Sequence, residues 1–397
     1  MSTHATTATH SLLIASSDEV RTQGTSGAML TTQVIRNFDG LAQYAADLDS
    51  LFADTEAPIA ARWGVIAIWL LHHRDAEPLA VLVWSDGTLA AAALMVVWHE
   101  FGYLRLTKIG EFGEPACLSA RSQESAEALA AAMINALADL RLPWSLNLTD
   151  LPVADTVVAT LCTHLAIGKL ENGPASPLLR FDRTAGLNAY LTHNTRSAVA
   201  KAINRVTREG LHLEMRWTSD AAEVERNLPE ILEVHRGRNR QRRNVAILDD
   251  PAAAALFKEI VLTHARSGRL RLLTLRLNGA LAAFMIGLLD RGMLWVYANL
   301  VSPDWVRYSA GTIANAETVR MAYADPSITG VNWGTGIQRY KMSGAVTLSP
   351  SVLLSAWSSH WMRVASAARA KLREIKALFL LRTRHPFSRP PPHHITH

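Results

Sequence analysis

The sequence predicts an α+β fold made of two similar domains, each a mixed, mostly antiparallel sheet flanked by helices. Three observations carry this expectation. The stretch "VLVWSDGTLAAAALMV" (81–96) aligns with "LTLRLNGALAAFMIGL" (273–288), so that Gly87 meets Gly279, Leu89 meets Leu281, and Ala90 and Ala91 meet Ala282 and Ala283. Each stretch holds Asp-Gly or Asn-Gly between apolar runs. That is the strongest short signal for a β-hairpin, because both central residues of a type I′ turn take φ > 0. The chain of 397 residues is also long enough for two domains of ~100–200 residues each.

Taken in order, residues 1–30 are rich in Ser, Thr and Ala and are expected to be disordered. The first domain is expected over 31–183. After its hairpin come a strand at 102–109, an Ala-rich helix "SAEALAAAMINALADL" at 125–140 and a strand "WSLNLTDLP" at 144–152. The second domain, 184–360, repeats hairpin, strand (292–303), helix (311–324) and strand (328–334), which points to internal duplication. It carries extra parts at its front. In "TRSAVAKAINRVTREG" (195–210), Arg196, Lys201, Arg205 and Arg208 leave an apolar stripe of Val199, Ile203 and Val206, and Gly210 closes the helix. Helices follow at 222–238 and 249–268, the second opened by Asp249 or Asp250 with Pro251 and closed by Gly268. A basic helix at 361–385 and a disordered proline-rich tail at 386–397 end the chain.

Composition narrows the functional classes. With 49% hydrophobic and 19% charged residues, this is ordinary globular material. The Cys 2 count, Cys117 and Cys162, supports neither a disulfide framework nor a zinc cluster, and the 15 histidines contain no HExxH, so no metal is expected. The apolar runs "GVIAIWLL" and "FMIGLL" fall far short of the ~20 residues that span a bilayer, and no signal peptide is visible. The expectation is a cytoplasmic protein without a transmembrane segment. Net charge is only +5, but "HRGRNRQRR" concentrates Arg236, Arg238, Arg240, Arg242 and Arg243. Such a run is either a solvated helix end or a seat for phosphate-bearing ligands, because guanidinium forks match phosphate geometry. RNA fits less well, since no aromatic residues interleave with the arginines.

The two copies differ most where the third strand meets its helix. The second copy has "SPDWVRYSAGT", in which Ser309, Ala310, Gly311 and Thr312 open the helix. A small-residue turn at a helix start leaves backbone N–H groups and the positive end of the dipole available to an anion. The first copy offers "IGEFGEPACLSARSQES", with acidic side chains and no comparable opening. One ligand site, in the second domain, is therefore expected. "RYSAG" lacks the first glycine of a nucleophile elbow, "GTGIQR" lacks the third glycine of a dinucleotide fingerprint, and no GxxxxGK[ST] occurs. The strand "VNWG" then leaves the core through Gly334 and Gly336 and presents Arg339, Tyr340 and Lys341.

Taken together, these pieces resemble the GNAT acyltransferase superfamily, and within it the CelD/BioF-type branch with two GNAT-like halves. The matching pieces are the basic helix at 196–208, "EVHRGR" (233–238), "LRLNGALAAFMIGL" (275–288), "YSAGT" (308–312) and "VNWGTGIQRYK" (331–341). The resemblance covers most of the chain in fold but only the second half in motifs. Members of the branch often carry Asp where Asn332 stands, which removes a candidate carboxylate here.

The resemblance implies tandem GNAT-like domains, the first degenerate, and an acetyl-CoA or other acyl-CoA donor across the second. Its pyrophosphate would rest on Tyr308, Ser309, Ala310, Gly311 and Thr312. Its pantetheine would lie between the strands of 294–300 and 328–334, near Asn299, Asn332 and Gly334. Tyr340 would be the general acid, with Lys341 beside it, and Arg236, Arg238 and Arg339 would meet the acceptor. That acceptor would be an amine on a small molecule or glycan precursor, such as an amino sugar or an envelope or exopolysaccharide precursor. The duplicated architecture also resembles Fem-type peptidyltransferases, which take an aminoacyl group from tRNA. A third expectation is a non-catalytic acyl-CoA-binding protein of polysaccharide biosynthesis, because a degenerate fold can bind without reacting.

Overall fold

The computed structural model describes residues 19–23, 29–110, 118–241, 247–342, 344 and 346–383. The first domain opens with β1 (Glu19–Gln23), β2 (Met29–Ile35), α1 (Phe38–Ala42), α2 (Ala45–Asp54) and α3 (Trp63–His72). It continues with β3 (Glu77–Ser85), β4 (Thr88–Glu100), β5 (Tyr103–Lys108), β6 (Leu118–Ala120), α4 (Gln123–Ala138) and β7 (Trp144–Pro152). Then come α5 (Thr156–His164), β8 (Gly168–Asn172) and β9 (Ser176–Arg180). The second domain has α6 (His193–Arg208), β10 (Leu213–Thr218), α7 (Ala221–Gln241), α8 (Pro251–Arg266), β11 (Leu270–Leu277) and β12 (Ala280–Asp290). After these stand β13 (Met293–Val301), α9 (Ala310–Ala324), β14 (Gly330–Asn332), β15 (Thr347–Ser349), β16 (Ser351–Trp357) and α10 (His360–Thr383).

The hairpin turns have the expected geometry, with Asp86 at φ 48 and Gly87 at φ 78, and Asn278 at φ 49 and Gly279 at φ 82. The likeness of the copies extends to a shared irregularity. Between β3 and β4, Val83 pairs with Ala91 and Trp84 with Leu89, which leaves Ala90 as the extra residue of a bulge. Between β11 and β12, Leu275 pairs with Ala283 and Arg276 with Leu281, which leaves Ala282. Ala90 and Ala282 are the residues the sequence alignment superimposes.

Each sheet is covered on both faces, so its central strand is apolar throughout rather than alternating. In β4, Ala91, Ala93, Met95 and Val97 face the core shared with α4, whereas Ala92, Leu94 and Val96 face the one shared with α2 and α3. In β12, Ala283 and Met285 face α6 and α9, and Phe284, Ile286 and Leu288 face α7 and α8. Most pairings are antiparallel, and β5–β7 and β13–β14 are parallel. The domains join where α3 meets α8. Leu256 and Ile260 enter the first domain's core. Buried Arg62 donates to Asp290 at 3.0 Å across the junction.

Sheet membership departs from the expected domain limits. The first sheet runs β1-β2-β3-β4-β5-β7-β16-β8 with β6 beside β4, and the second runs β10-β11-β12-β13-β14-β9-β15. Residues 176–180, expected in the first domain, therefore join the second sheet, and 351–357, expected in the second domain, join the first between β7 and β8. The front of the second copy is not its peculiarity, since β2 and α1–α3 precede the first hairpin too. Residues 1–30 were expected to be disordered, yet Glu19–Gln23 pairs antiparallel with Met29–Gln33. The expected tail at 386–397 lies outside the described residues.

Candidate active site

The site grows from a parting of strands. Along the parallel pair, Met293, Leu294 and Trp295 of β13 face Gly330, Val331 and Asn332 of β14. There β14 ends, and the chain stays with β9 through Trp333 N–H, which donates to Pro177 O at 3.0 Å. Strand β13 continues to Val301. At the same level β13 bulges: Ala298 pairs with Ile286 and Val296 with Gly287, so Tyr297 is the extra residue. A bulge takes backbone groups out of the ladder and re-aims the strand. The matching pair in the first domain, β4–β5, is regular from Met95–Lys108 to Glu100–Tyr103.

Helix α9 begins beside the open end of β13. Its N-cap, Ser309, sits in the left-handed region (φ 56, ψ 34), and among the described residues no side chain caps the first turn. The counterpart helix α4 is closed by a capping box, in which Ser122 and Ser125 exchange side-chain to backbone bonds. A capping box satisfies the groups an anion would use. The asymmetry read from the sequence is therefore present in the backbone.

Tyr340 reaches across the mouth. Its hydroxyl donates to Asn299 Oδ1 at 3.3 Å, and Asn299 Nδ2 donates to Asn315 Oδ1 of α9 at 3.2 Å. The ring meets Trp333 edge-on at 6.4 Å between centroids. Trp333 itself is buried, and among the described residues its Nε1 has no hydrogen-bond partner. Asn332, also buried, accepts the Gly334 N–H at 2.9 Å and so turns the chain out of the sheet. Gly334 then takes φ 70, a left-handed value that favours glycine. The structure thus brings Asn299, Ser309, Thr312, Gly334 and Tyr340 to one end of the second sheet.

Several expected roles are corrected. Tyr308 is 2% exposed, and its hydroxyl donates to Glu209 Oε2 at 2.7 Å, so it packs and ties the end of α6 to the Pro303–Tyr308 turn. Ala310 is fully buried, so its methyl packs inward and only its backbone N–H is left for the expected role. Gly311 does not stand open for a ligand at its α-carbon, since an added Cβ would lie 2.6 Å from Val301 Cγ2. Close packing of α9 on β13 requires that glycine. Lys341 is buried, and its Nζ donates to Thr335 O at 2.8 Å and Gly334 O at 3.3 Å. It pins the turn that carries Tyr340, and burial pushes its pKa down to about 8. Arg236 Nε donates to Leu248 O at 3.0 Å, which holds the end of α7 to the start of α8.

Arg238 stands on the last turn of α7. Gly237, next to it, packs on Pro303, with its Cβ position 3.6 Å from Pro303 Cδ, so the arginine run starts beside the turn that leads into α9. The side chains of Arg240 and Arg339, and all of Arg242 and Arg243, lie outside the described residues. Sequence reasoning missed Asn315, for which helix periodicity holds no signal. The family resemblance implied splayed strands and a bulge in this region, and what was not named in advance is Tyr297 as the extra residue, although a glycine inside a strand pattern, Gly287, was the available cue.

Residues 193–342 match the acetyltransferase (GNAT) domain family. A search of curated protein sequences finds no match. Among solved structures, the chain is similar to FemX, with 10% identity, a TM-score of 0.55 and coverage of 78% of this chain and 95% of that one. It is also similar to a conserved protein of unknown function from Bacteroides thetaiotaomicron, at 14% identity, TM-score 0.50, and 78% and 96% coverage. A tandem GNAT protein from the clavulanic acid biosynthesis pathway aligns at 13% identity, TM-score 0.47, and 83% and 99% coverage. Residues 193–342 are thus a GNAT acetyltransferase domain by their family match, and the two-sheet fold of the whole chain is similar to that of FemX.

Proposed function

We propose that the second domain takes an acyl-CoA donor along the open edge of β13 and transfers the acyl group to an amine. One observation carries this reading. The bulge at Tyr297, the parting of β13 from β14 and an uncapped helix start coincide in the second domain, and the first has a regular pair and a capped helix. Backbone groups released by the bulge can pair with the amide chain of pantetheine. The first turn of α9, Ser309 to Thr312, suits the pyrophosphate. Asn299 and Gly334 line the path between, and Asn332 and Tyr308 shape it without touching the donor.

In this reading the acceptor nitrogen attacks the thioester carbonyl and the carbon–sulfur bond breaks. Sulfur leaves as a thiolate and takes the proton of the Tyr340 hydroxyl, while the nitrogen gives up its proton to solvent, from which the phenolate is reprotonated. A phenol beside the leaving sulfur can release its proton as charge develops there. Lys341 holds the turn on which Tyr340 stands, and the contact with an anionic acceptor or the donor's phosphates is assigned to Arg238 and Arg339 on their chemistry. The acceptor class we favour is an amine on a small molecule or glycan precursor, such as an amino sugar.

A second reading, aminoacyl transfer from tRNA, draws on the FemX-like architecture. Native mass spectrometry of the purified protein against acetyl-CoA and longer acyl-CoAs, followed by incubation with amino-sugar acceptors, separates the possibilities. A bound acyl-CoA consumed in the presence of an amine supports the proposal. Binding without turnover points to a non-catalytic role, and no binding together with transfer from aminoacyl-tRNA favours the second reading.

A further inference from the structure

We propose that one end of the first sheet, together with α10, docks on the surface of an anionic lipid bilayer. The strand register brings the parts together. Strands β5 and β7 start side by side, with Leu104 opposite Trp144, and β16 ends beside them, with Trp357 opposite Ser145. Ser358 N–H donates to Trp144 O at 3.0 Å, which fixes the start of α10 at the same edge. The turn before β5, the loop before β7 and the beginning of α10 therefore share one end of the molecule.

That end exposes large apolar side chains: Phe101 at 98%, Leu142 at 43%, Trp361 at 71%, Val364 at 64% and Leu372 at 63%. Helix α10 is held by other residues. Met362 is buried against the body, and the Arg369 guanidinium lies 4.3 Å from the centre of the Tyr103 ring, so the helix runs across the start of β5. Trp361, Val364, exposed Ala368 and Leu372 are spaced by three or four residues, which lines them up as one apolar stripe of the helix. In sequence, Ile375 and Phe379 continue the same spacing. Isolated exposed apolar residues need no explanation, but a clustered set marks an interaction surface.

The charges select the partner. Arg141, Arg363 and Lys371 are exposed around the patch. Arg373, Lys376, Arg382 and Arg384 follow in sequence, and Glu374 is the sole acidic residue between His360 and Arg384. Against them stand exposed Asp139 in the loop before β7 and Glu100, which is paired with Arg105 at 3.0 Å. A second copy of the chain would set like charges against one another, which is unfavourable. Phosphate headgroups with acyl chains beneath them satisfy cations and apolar stripe together, the pattern of a helix lying in the interface. Among the described residues, no helix is long and apolar enough to cross a membrane. The inference stands independently of the donor site.

The test is flotation of the intact protein with vesicles of phosphatidylcholine alone and with one lipid in three replaced by phosphatidylglycerol. We expect partition onto the anionic vesicles that weakens with added salt, by roughly fivefold for each cation engaged. Trp361→Glu combined with Leu372→Glu lowers that partition by at least tenfold. Because both positions are exposed, the thermal melting of the double variant matches the parent. Absence of binding, equal binding to both vesicle types, or binding unchanged in the double variant overturns the proposal. So does a dimer in solution that the double variant splits, because the stripe would then be covered by another copy.

Discussion

The Tyr340 hydroxyl donates to Asn299 Oδ1 at 3.3 Å, and this bond links the segment that leaves β14 to the far side of the parted strands. It holds the phenol over the mouth while Asn315 braces Asn299 from α9 at 3.2 Å. A proton donor in the leaving-group position needs such a fixed origin, because general acid catalysis depends on geometry before pKa.

Tyr340→Phe keeps the ring, its edge-on contact with Trp333 and the backbone turn, and removes only the hydroxyl. General acid–base catalysis contributes ~10²–10⁴-fold, so kcat should fall at least tenfold. Acyl-CoA affinity, read by thermal shift, should stay near that of the parent. A variant with parental kcat would show that the proton comes from another group.

Ser309→Asp tests the helix start. An aspartate tolerates the left-handed backbone and suits the positive end of a helix, so the free protein should melt no lower than the parent. The same carboxylate occupies the anion site and repels a pyrophosphate. At a hundred times its dissociation constant, a ligand stabilises the native state by about 2.7 kcal/mol. That shift with acyl-CoA should disappear in the variant, and its persistence would move the pyrophosphate elsewhere.

The hairpins were legible because the chemistry of an I′ turn is local: Asp86-Gly87 and Asn278-Gly279 need nothing distant to take φ > 0. The close of α6 at Gly210, with φ 71, and the start of α8 were legible for the same reason, with Asp250, one of the two residues expected to cap it, accepting the Ala252 N–H at 3.2 Å. The exchange of β9 and β16 between sheets was not, because pairing Leu178 with Asn332 or Leu354 with Leu148 depends on chain segments far apart in sequence. The site was half legible. Sequence placed Ser309–Thr312, Gly334 and Tyr340 together. It misread Tyr308 and Lys341, whose polar atoms are spent on Glu209 and on backbone carbonyls that only the folded chain supplies.

The glycine at 311 serves packing, and a double substitution shows it. In Gly311→Ala the new methyl carbon would lie 2.6 Å from Val301 Cγ2. Overpacking of this kind costs about 1–3 kcal/mol. Trimming the neighbour as well, in Gly311→Ala with Val301→Ala, should recover most of the loss in urea unfolding. If Gly311→Ala is as stable as the parent, the helix is not seated against β13 as described.

The arginine run begins where Gly237 packs on Pro303, next to the turn into α9. Replacing Arg238, Arg240 and Arg242 together by Gln should raise KM for the charged substrate and flatten its dependence on salt, because fewer charges remain to be screened. The kcat at saturation should change little. Kinetics that match the parent at every salt concentration would assign the run to solvated surface.

Lys341 gives a signature in pH. Burial lowers its folded-state pKa from the ordinary 10.5 to about 8. Below pH 8 the lysine is charged in both folded and unfolded chains, and the full desolvation penalty weighs on the folded one. As pH rises toward 10.5 the folded chain gives up the proton first, the unfolded chain binds more protons, and stability therefore rises with pH across that window. The slope from this group is at most about 1.4 kcal/mol per pH unit. Lys341→Met keeps an unbranched side chain and removes the charge, so it removes this slope as well as the bonds to Gly334 and Thr335. Subtracting the unfolding free energy of the parent from that of the variant cancels every other titrating group. The difference should move against the variant as pH rises through the window, because only the parent sheds its penalty there. A difference that stays flat from neutral pH upward would mean that Lys341 titrates in the folded protein as it does in water, and that its amine is solvated rather than buried in the turn beneath Tyr340.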